Sequence, residues 1–197
     1  MTIFHKQNVK GALVDVQPLR EQAEIKQMIE ALAMSPTNGP RNVLLFKTGI
    51  STGLRAGDIV KLRIEDVKGR TQFKVREGKT RKERTVHISA IMPDIADYIE
   101  SIGNPSQGWL FPSRKGDKNI TTTQCYRILT EAGELIGKRD VGTHSMRKTF
   151  GYHYYKRTKD VATLMEIFNH ESQRTTLRYI GITEEEVGNS LKDFRLF

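Results

Sequence analysis

Two short stretches of this chain alternate polar and apolar residues, whereas its other clear apolar patterns repeat at helical spacing. Residues 71–76 place Phe73 and Val75 on one face, and residues 84–88 do the same with Val86 and Ile88. Between them runs Glu77-Gly78-Lys79-Thr80-Arg81-Lys82. A period of two on either side of a glycine-containing polar link predicts an antiparallel hairpin with a basic tip. Elsewhere Ile25, Met28, Ile29 and Leu32 recur at i, i+3, i+4 and i+7, after Pro18, which reads as a helix start. Val43, Leu44, Leu45, Phe46 and Ile50 give the next helix a broad apolar face, and residues 56–62 restart a helix after a Thr52-Gly53-Leu54-Arg55 junction. Further helices are predicted over residues 91–102, interrupted early by Pro93, and 121–136, then from residue 143 onward, after Asp160 and Ser172 as N-caps, and over 184–194. A chain with one hairpin and many one-sided helices must pack helix on helix, so the predicted fold is mainly α with a small antiparallel hairpin or sheet.

The length of 197 residues suits one compact domain. Residues 1–17 show weak periodicity and are assigned as a tail or linker stub, leaving 18–197 as the domain. The net charge of +9 and pI near 9.7 imply an anionic partner. With no apolar run long enough for a bilayer, double-stranded DNA leads and no membrane role is expected. A basic helical RNA-binding or ribosome-associated module is the rival from another class. Cys125 is the single cysteine, which excludes an intrachain disulfide, fits a reducing cytoplasm and reads as core. The five histidines show no close metal-ligand pairing, so no metal is assigned. The Gly-Lys-Thr of the hairpin lacks the earlier glycine of a Walker motif, since position 73 is Phe, and no nucleotide cofactor is assigned.

Residues 143–179 concentrate groups suited to phosphate chemistry. His144 and Arg147 stand three apart on one helical face, His170 follows, and Tyr179 lies nine residues further on. A guanidinium matches phosphate oxygens two at a time, an imidazole can donate a hydrogen bond or move a proton, and a phenol oxygen can attack and be held covalently. Taken singly each has an ordinary reading: a satisfied histidine, a surface ion-pair arginine, a half-buried tyrosine. Their joint order carries the argument.

That order resembles the C-terminal catalytic half of the tyrosine recombinase (phage integrase) family. The HxxR box is His144-Ser145-Met146-Arg147, and the later box is Asn169-His170-Glu171-Ser172 ahead of Thr175-Thr176-Leu177-Arg178-Tyr179. Residues 52–59, TGLRAGDI, resemble the first arginine box and place Arg55, with Asp58 at the acidic position, where it would orient Arg55 or a histidine. Residues 75–88 resemble the hairpin that delivers the catalytic lysine. Lys79 is the nearer match and Lys82 its rival. Asn169 stands where the family commonly has Gly, and Glu171 where it has Ser; Asn tolerates the left-handed backbone such a turn requires.

The resemblance implies a tyrosine recombinase catalytic-domain fold of the DNA breaking-rejoining type. It implies a site-specific recombinase of integrase or invertase kind, belonging to a mobile element, that acts through a 3′-phosphotyrosine at Tyr179. Arg55 and Arg147 would hold the phosphate, His144 and His170 would add donors and take the phenol proton, and Lys79 would protonate the leaving oxygen. Arg81, Lys82 and Arg84 would grip the DNA backbone. Self-association as a tetramer on DNA, accessory DNA-bending factors and a cytoplasmic, nucleoid-associated location follow from the same resemblance. The chain is similar to minimal inversion-type recombinases, or else to a catalytic fragment of a longer integrase. A catalytically silent DNA-binding regulator and a type IB topoisomerase are the alternatives within the fold.

Overall fold

The hairpin forms where the alternation predicts it. β1 (Gln72–Arg76) pairs antiparallel with β2 (Glu83–His87), setting Phe73 opposite Val86 and Val75 opposite Arg84. Phe73 and Val86 are buried, and their strand neighbours face outward. The computed structural model describes residues 15–76, 78, 81–114, 116–183, 188 and 192, and helices make up the other regular elements among them.

The first helix starts later than Pro18 suggests. Residues 15–20 run without regular structure, and α1 spans Gln22–Ala33. The Glu24 carboxylate accepts from the Arg20 and Glu21 backbone N–H groups at 2.7 and 3.1 Å, so the helix is capped from Glu24 rather than opened by the proline. The preceding stretch is tied down elsewhere: Gln17 N–H donates to Asp140 O at 2.9 Å, and Leu19 N–H to Thr149 Oγ1 at 2.9 Å.

α2 (Gly39–Thr52) has Pro40 in its first turn, where a missing N–H costs nothing, and buries Leu44, Leu45 and Phe46. It ends on Gly53 at φ +62°, where a Cβ would approach Phe150 Cδ1 to 2.5 Å. Only glycine meets both conditions cheaply. The helix expected over 56–62 is a single turn, α3 (Ala56–Ile59), and a second turn that was not expected, α4 (Ile64–Val67), follows it. Between them Arg63 forms a bridge with Trp109, its guanidinium 4.5 Å from the indole centroid. Leu110 and Phe111 then plug the core at 0% exposure.

α5 (Met92–Ser101) keeps Pro93 in its first turn, so the proline opens the helix and does not interrupt it. α6 (Thr122–Leu135) is capped reciprocally by Thr121 and Gln124, at 3.1 and 2.8 Å. Cys125 is fully buried there, and burial pushes its thiol up to about 12, which suits packing and not nucleophilic work.

α7 (Thr143–Thr158) packs along α2 and joins two cores. Met146 enters the main cluster, and Tyr152 enters a smaller one built with Leu164, Phe168 and Ile180. That smaller core belongs to α8 (Val161–Phe168), capped by Asp160 accepting from Thr163 N–H at 2.9 Å, and α9 (Gln173–Tyr179), capped by Ser172 accepting from Thr175 N–H at 3.1 Å. Phe150, Tyr154 and Tyr155 pack against it, as aromatics at helical spacing should. The helix predicted over 184–194 lies outside the described residues, save for positions 188 and 192.

Candidate active site

α7 presents its first turn to the gap between the end of α2 and the end of α8, and Arg147 fills that gap. Its side chain is 3% exposed. One guanidinium nitrogen donates to the Gly53 carbonyl and the other to Phe168 O at 3.1 Å, with the guanidinium carbon 4.3 Å from the Phe168 ring centroid. Both acceptors sit at helix C-termini, where unsatisfied carbonyls carry partial negative charge and favour a cation. A planar fork locked by carbonyls and stacked on a ring cannot swing, which is the rigidity a phosphate clamp needs.

Tyr179, the last residue of α9, lies against this arginine. Its hydroxyl is 3.2 Å from His144 Nδ1, its ring packs edge-on against Phe168 and His170 at centroid distances of 5.4 and 5.2 Å, and Lys148 Nζ sits 5.6 Å from its centroid. Burial raises the phenol pKa above its ordinary value; the charges of Arg147 and Arg55, and a hydrogen bond with Arg147, oppose that rise. The phenol is therefore protonated at neutral pH and needs a base to become a nucleophile.

His170 is presented by a turn at Asn169, which adopts φ 52°, ψ 53° and so takes the left-handed conformation expected of it. Burial and the positive charges of Arg147 and Arg55 lower the imidazole pKa. Thr176 Oγ1 lies 3.1 Å from His170 Nδ1 and donates its own proton to Ser172 O at 3.2 Å. With that single proton given to Ser172 O, Thr176 accepts from Nδ1–H, the tautomer whose Nε2 is the basic nitrogen. Thr176 is fully buried.

Arg55 is the N-cap residue of α3, half-buried, and its charge reaches both His170 and Tyr179. Asp58, expected to orient Arg55 or a histidine, turns Oδ1 to the hairpin and accepts from Gly78 N–H at 3.0 Å; its Oδ2 has no hydrogen-bond partner among the described residues. Arg84 donates to Thr52 O at 3.3 Å, beside the Arg55 junction. Arg81 is exposed with φ 57°. Lys82 reaches across to Asn169 Oδ1 at 2.6 Å. Lys79 lies outside the described residues.

The structure thus gathers Arg55, His144, Arg147, His170 and Tyr179, with Lys82 at the margin. Sequence reasoning missed Gly53 O, Phe168, Lys148 and Thr176. Only Thr176 had a legible signal, as part of the TTxxY run. Among the described residues no group of three or more His, Cys, Asp or Glu could hold a metal, and no helix is long and apolar enough to cross a membrane.

The site thus combines a buried arginine fork, two histidines and a phenol on a helical frame. Residues 19–186 match the model of the phage integrase family, and the chain belongs to that family. It is 38% identical over 180 residues to the Probable integrase/recombinase YoeC of Bacillus subtilis (strain 168), covering 91% of this chain and 97% of that one. It is 29% identical over 174 residues to the tyrosine recombinase XerA of Pyrococcus furiosus, covering 87% of this chain and 59% of that protein. The chain therefore spans nearly all of one relative and little more than half of the other. Among solved structures the XerA recombinase superposes with a TM-score of 0.72 at 21% identity, covering 96% of this chain and 67% of that one. The catalytic domain of bacteriophage HP1 integrase gives 0.57 at 19%, covering 92% and 96%. The fold is that of tyrosine recombinase catalytic domains.

Proposed function

We propose that the protein is a site-specific DNA recombinase that cuts and rejoins double-stranded DNA through a covalent bond to Tyr179. The observation that carries this reading is the Tyr179 hydroxyl placed 3.2 Å from His144 Nδ1 and beside a buried, immobilised Arg147. The phenol oxygen attacks a backbone phosphorus, its proton passes to a histidine, and the O5′ bond breaks, giving a 3′-phosphotyrosine and a free 5′-hydroxyl. Reversal with a different 5′-hydroxyl exchanges strands and restores the phenol, so the bond energy is conserved and no nucleotide is consumed. Arg55 and Arg147 hold the non-bridging oxygens as their charge grows in the transition state. His170 Nε2 and His144 share the proton work. The 5′ oxygen takes its proton from the hairpin lysine, Lys79, with Lys82 as the other candidate. Arg81, Lys82 and Arg84 lie along the DNA backbone.

The set of groups favours a recombinase over a silent regulator, and the relatives named as recombinases favour it over a topoisomerase or an RNA-binding module. Residues 18–197 are read as the catalytic domain, acting near the nucleoid with DNA-bending factors as accessory partners. Mixing the protein with a nicked suicide duplex should give a covalent band on a denaturing gel that Tyr179→Phe abolishes. A band that persists in that variant would sink the assignment.

Self-association on DNA is part of the same reading. The groove between α1 and α6 exposes Met34 and Leu135 at 70% and 65%, beside Arg114 and Arg127. The C-terminal segment of a second copy has the matching chemistry, with Glu184, Glu185 and Glu186 next to Val187, Leu191 and Phe194. Changing Leu191 and Phe194 together to Glu should leave binding of one protomer to DNA and abolish higher-order complexes in sedimentation. Unchanged assembly would remove the groove from the reading.

A further inference from the structure

The turn before His170 is built on asparagine, although its left-handed backbone would cost a glycine less. What asparagine adds is a side-chain acceptor, and that acceptor is occupied: Lys82 Nζ lies 2.6 Å from Asn169 Oδ1, across 87 residues of sequence. Lys82 belongs to the hairpin link, whose other end is gripped by Asp58 through Gly78 N–H at 3.0 Å. Arg81, next to Lys82, holds φ 57°, and its carbonyl accepts from Arg76 Nε at 3.3 Å. A non-glycine residue keeps such a backbone only where its surroundings over-determine it. The link is thus fastened at one end to the Arg55 box and at the other to the His170 turn. Lys79 stands between the two fastenings in the chain.

We propose that Asn169 is a positioning residue that, by accepting a hydrogen bond from Lys82, holds the lysine-bearing hairpin link against the turn presenting His170. The proposal rests on the recombinase reading for its catalytic consequence, though not for the contact itself. Holding Lys82 there fixes one end of the link before DNA is bound, an advantage of orientation for proton transfer to the departing O5′.

Asn169→Gly is the discriminating variant, because glycine keeps the turn and deletes only the acceptor. Nicked duplexes selected from a random-sequence pool by low-salt binding serve as substrates, in one form with oxygen and in another with sulfur at the 5′ bridging position. A thiolate departs without a proton. We expect Asn169→Gly to slow covalent adduct formation on the oxygen substrate about tenfold and to leave the sulfur substrate within about twofold. We also expect no further loss when it is added to Lys82→Ala. Parental rates on both substrates, equal losses on both, or additive losses in the double variant would each overturn the proposal. Hydrogen exchange supplies a readout independent of catalysis: without DNA, amides of the β1–β2 link should exchange faster in Asn169→Gly than in the parent. Unchanged exchange would overturn the latch even in a protein that forms no adduct, whereas faster exchange without any adduct would uphold the latch and fault only the recombinase reading.

Discussion

Arg147 carries two duties that pull in the same direction. Its carbonyl partners, Gly53 O and Phe168 O, tie the end of α2 to the end of α8, and the stack on Phe168 fixes the plane of the fork. Arg147→Ala should therefore reduce adduct formation by about 10²–10³-fold, as loss of one pre-aimed donor to a developing oxyanion does, while single-site DNA binding changes much less. Gel-based single-turnover rates alongside filter binding separate the two, and a variant with parental turnover would contradict the role. His170 gives a pH prediction. Its pKa is lowered in the folded protein by burial and by Arg147 and Arg55, so just below the ordinary histidine value of about 6.5 the unfolded chain holds a proton that the native state does not. Stability from this group is complete above that value and is lost as pH falls through it toward the depressed native value. Thermal melts from pH 8 to pH 5 should show Tm falling below about 6.5, and His170→Gln should flatten that part of the curve. An identical slope in the variant would assign the loss to other groups. The carboxylates held low by their partners, such as Glu24 beside Lys138, act in a separate window below their ordinary range, so the two effects do not overlap.

At the level of elements, the α2–α7 contact decides whether the site exists. Gly53 combines a left-handed φ with a space already filled by Phe150, and it offers the carbonyl that Arg147 grips. Gly53→Ala should lower unfolding free energy by about 2 kcal/mol or more and cut activity beyond what stability explains, because the carbonyl moves with the backbone. Urea unfolding with parallel cleavage assays at low temperature tests this, and a variant within about 0.5 kcal/mol of the parent would contradict it. The elements themselves were largely legible. Period two gave the hairpin with Phe73 and Val86 inward, helical stripes gave α1, α2 and α6, and Asp160, Thr121 and Ser172 mark starts that side-chain caps confirm. α7 was legible as a helix from residue 143 onward but its interior was not: beside Met146 and Tyr152 it buries Ser145, Arg147 and Thr149, polar groups that no apolar period marks as inward. The partners of Asp58 and Lys82 were illegible for a different reason. Contacts across 20 and 87 residues depend on how the hairpin folds back, which local pattern does not encode.

Across the whole molecule, the net charge of +9 sets how binding to a polyanion responds to salt. If Arg55, Arg81, Lys82, Arg84, Arg147 and Lys148 neutralise phosphates, the logarithm of the DNA binding constant should fall against the logarithm of salt with a slope of about −5. A slope near zero would mean that binding does not run through this face. In the proposed reaction Tyr179 becomes bonded to DNA beside Arg55, His144, Arg147 and His170. Mass spectrometry of the trypsin-digested, nuclease-trimmed adduct measures this directly. A nucleotide attached through phosphate to the peptide carrying Tyr179, and absent when Arg147 is Ala, is the predicted result; a nucleotide attached to any other residue would contradict the account.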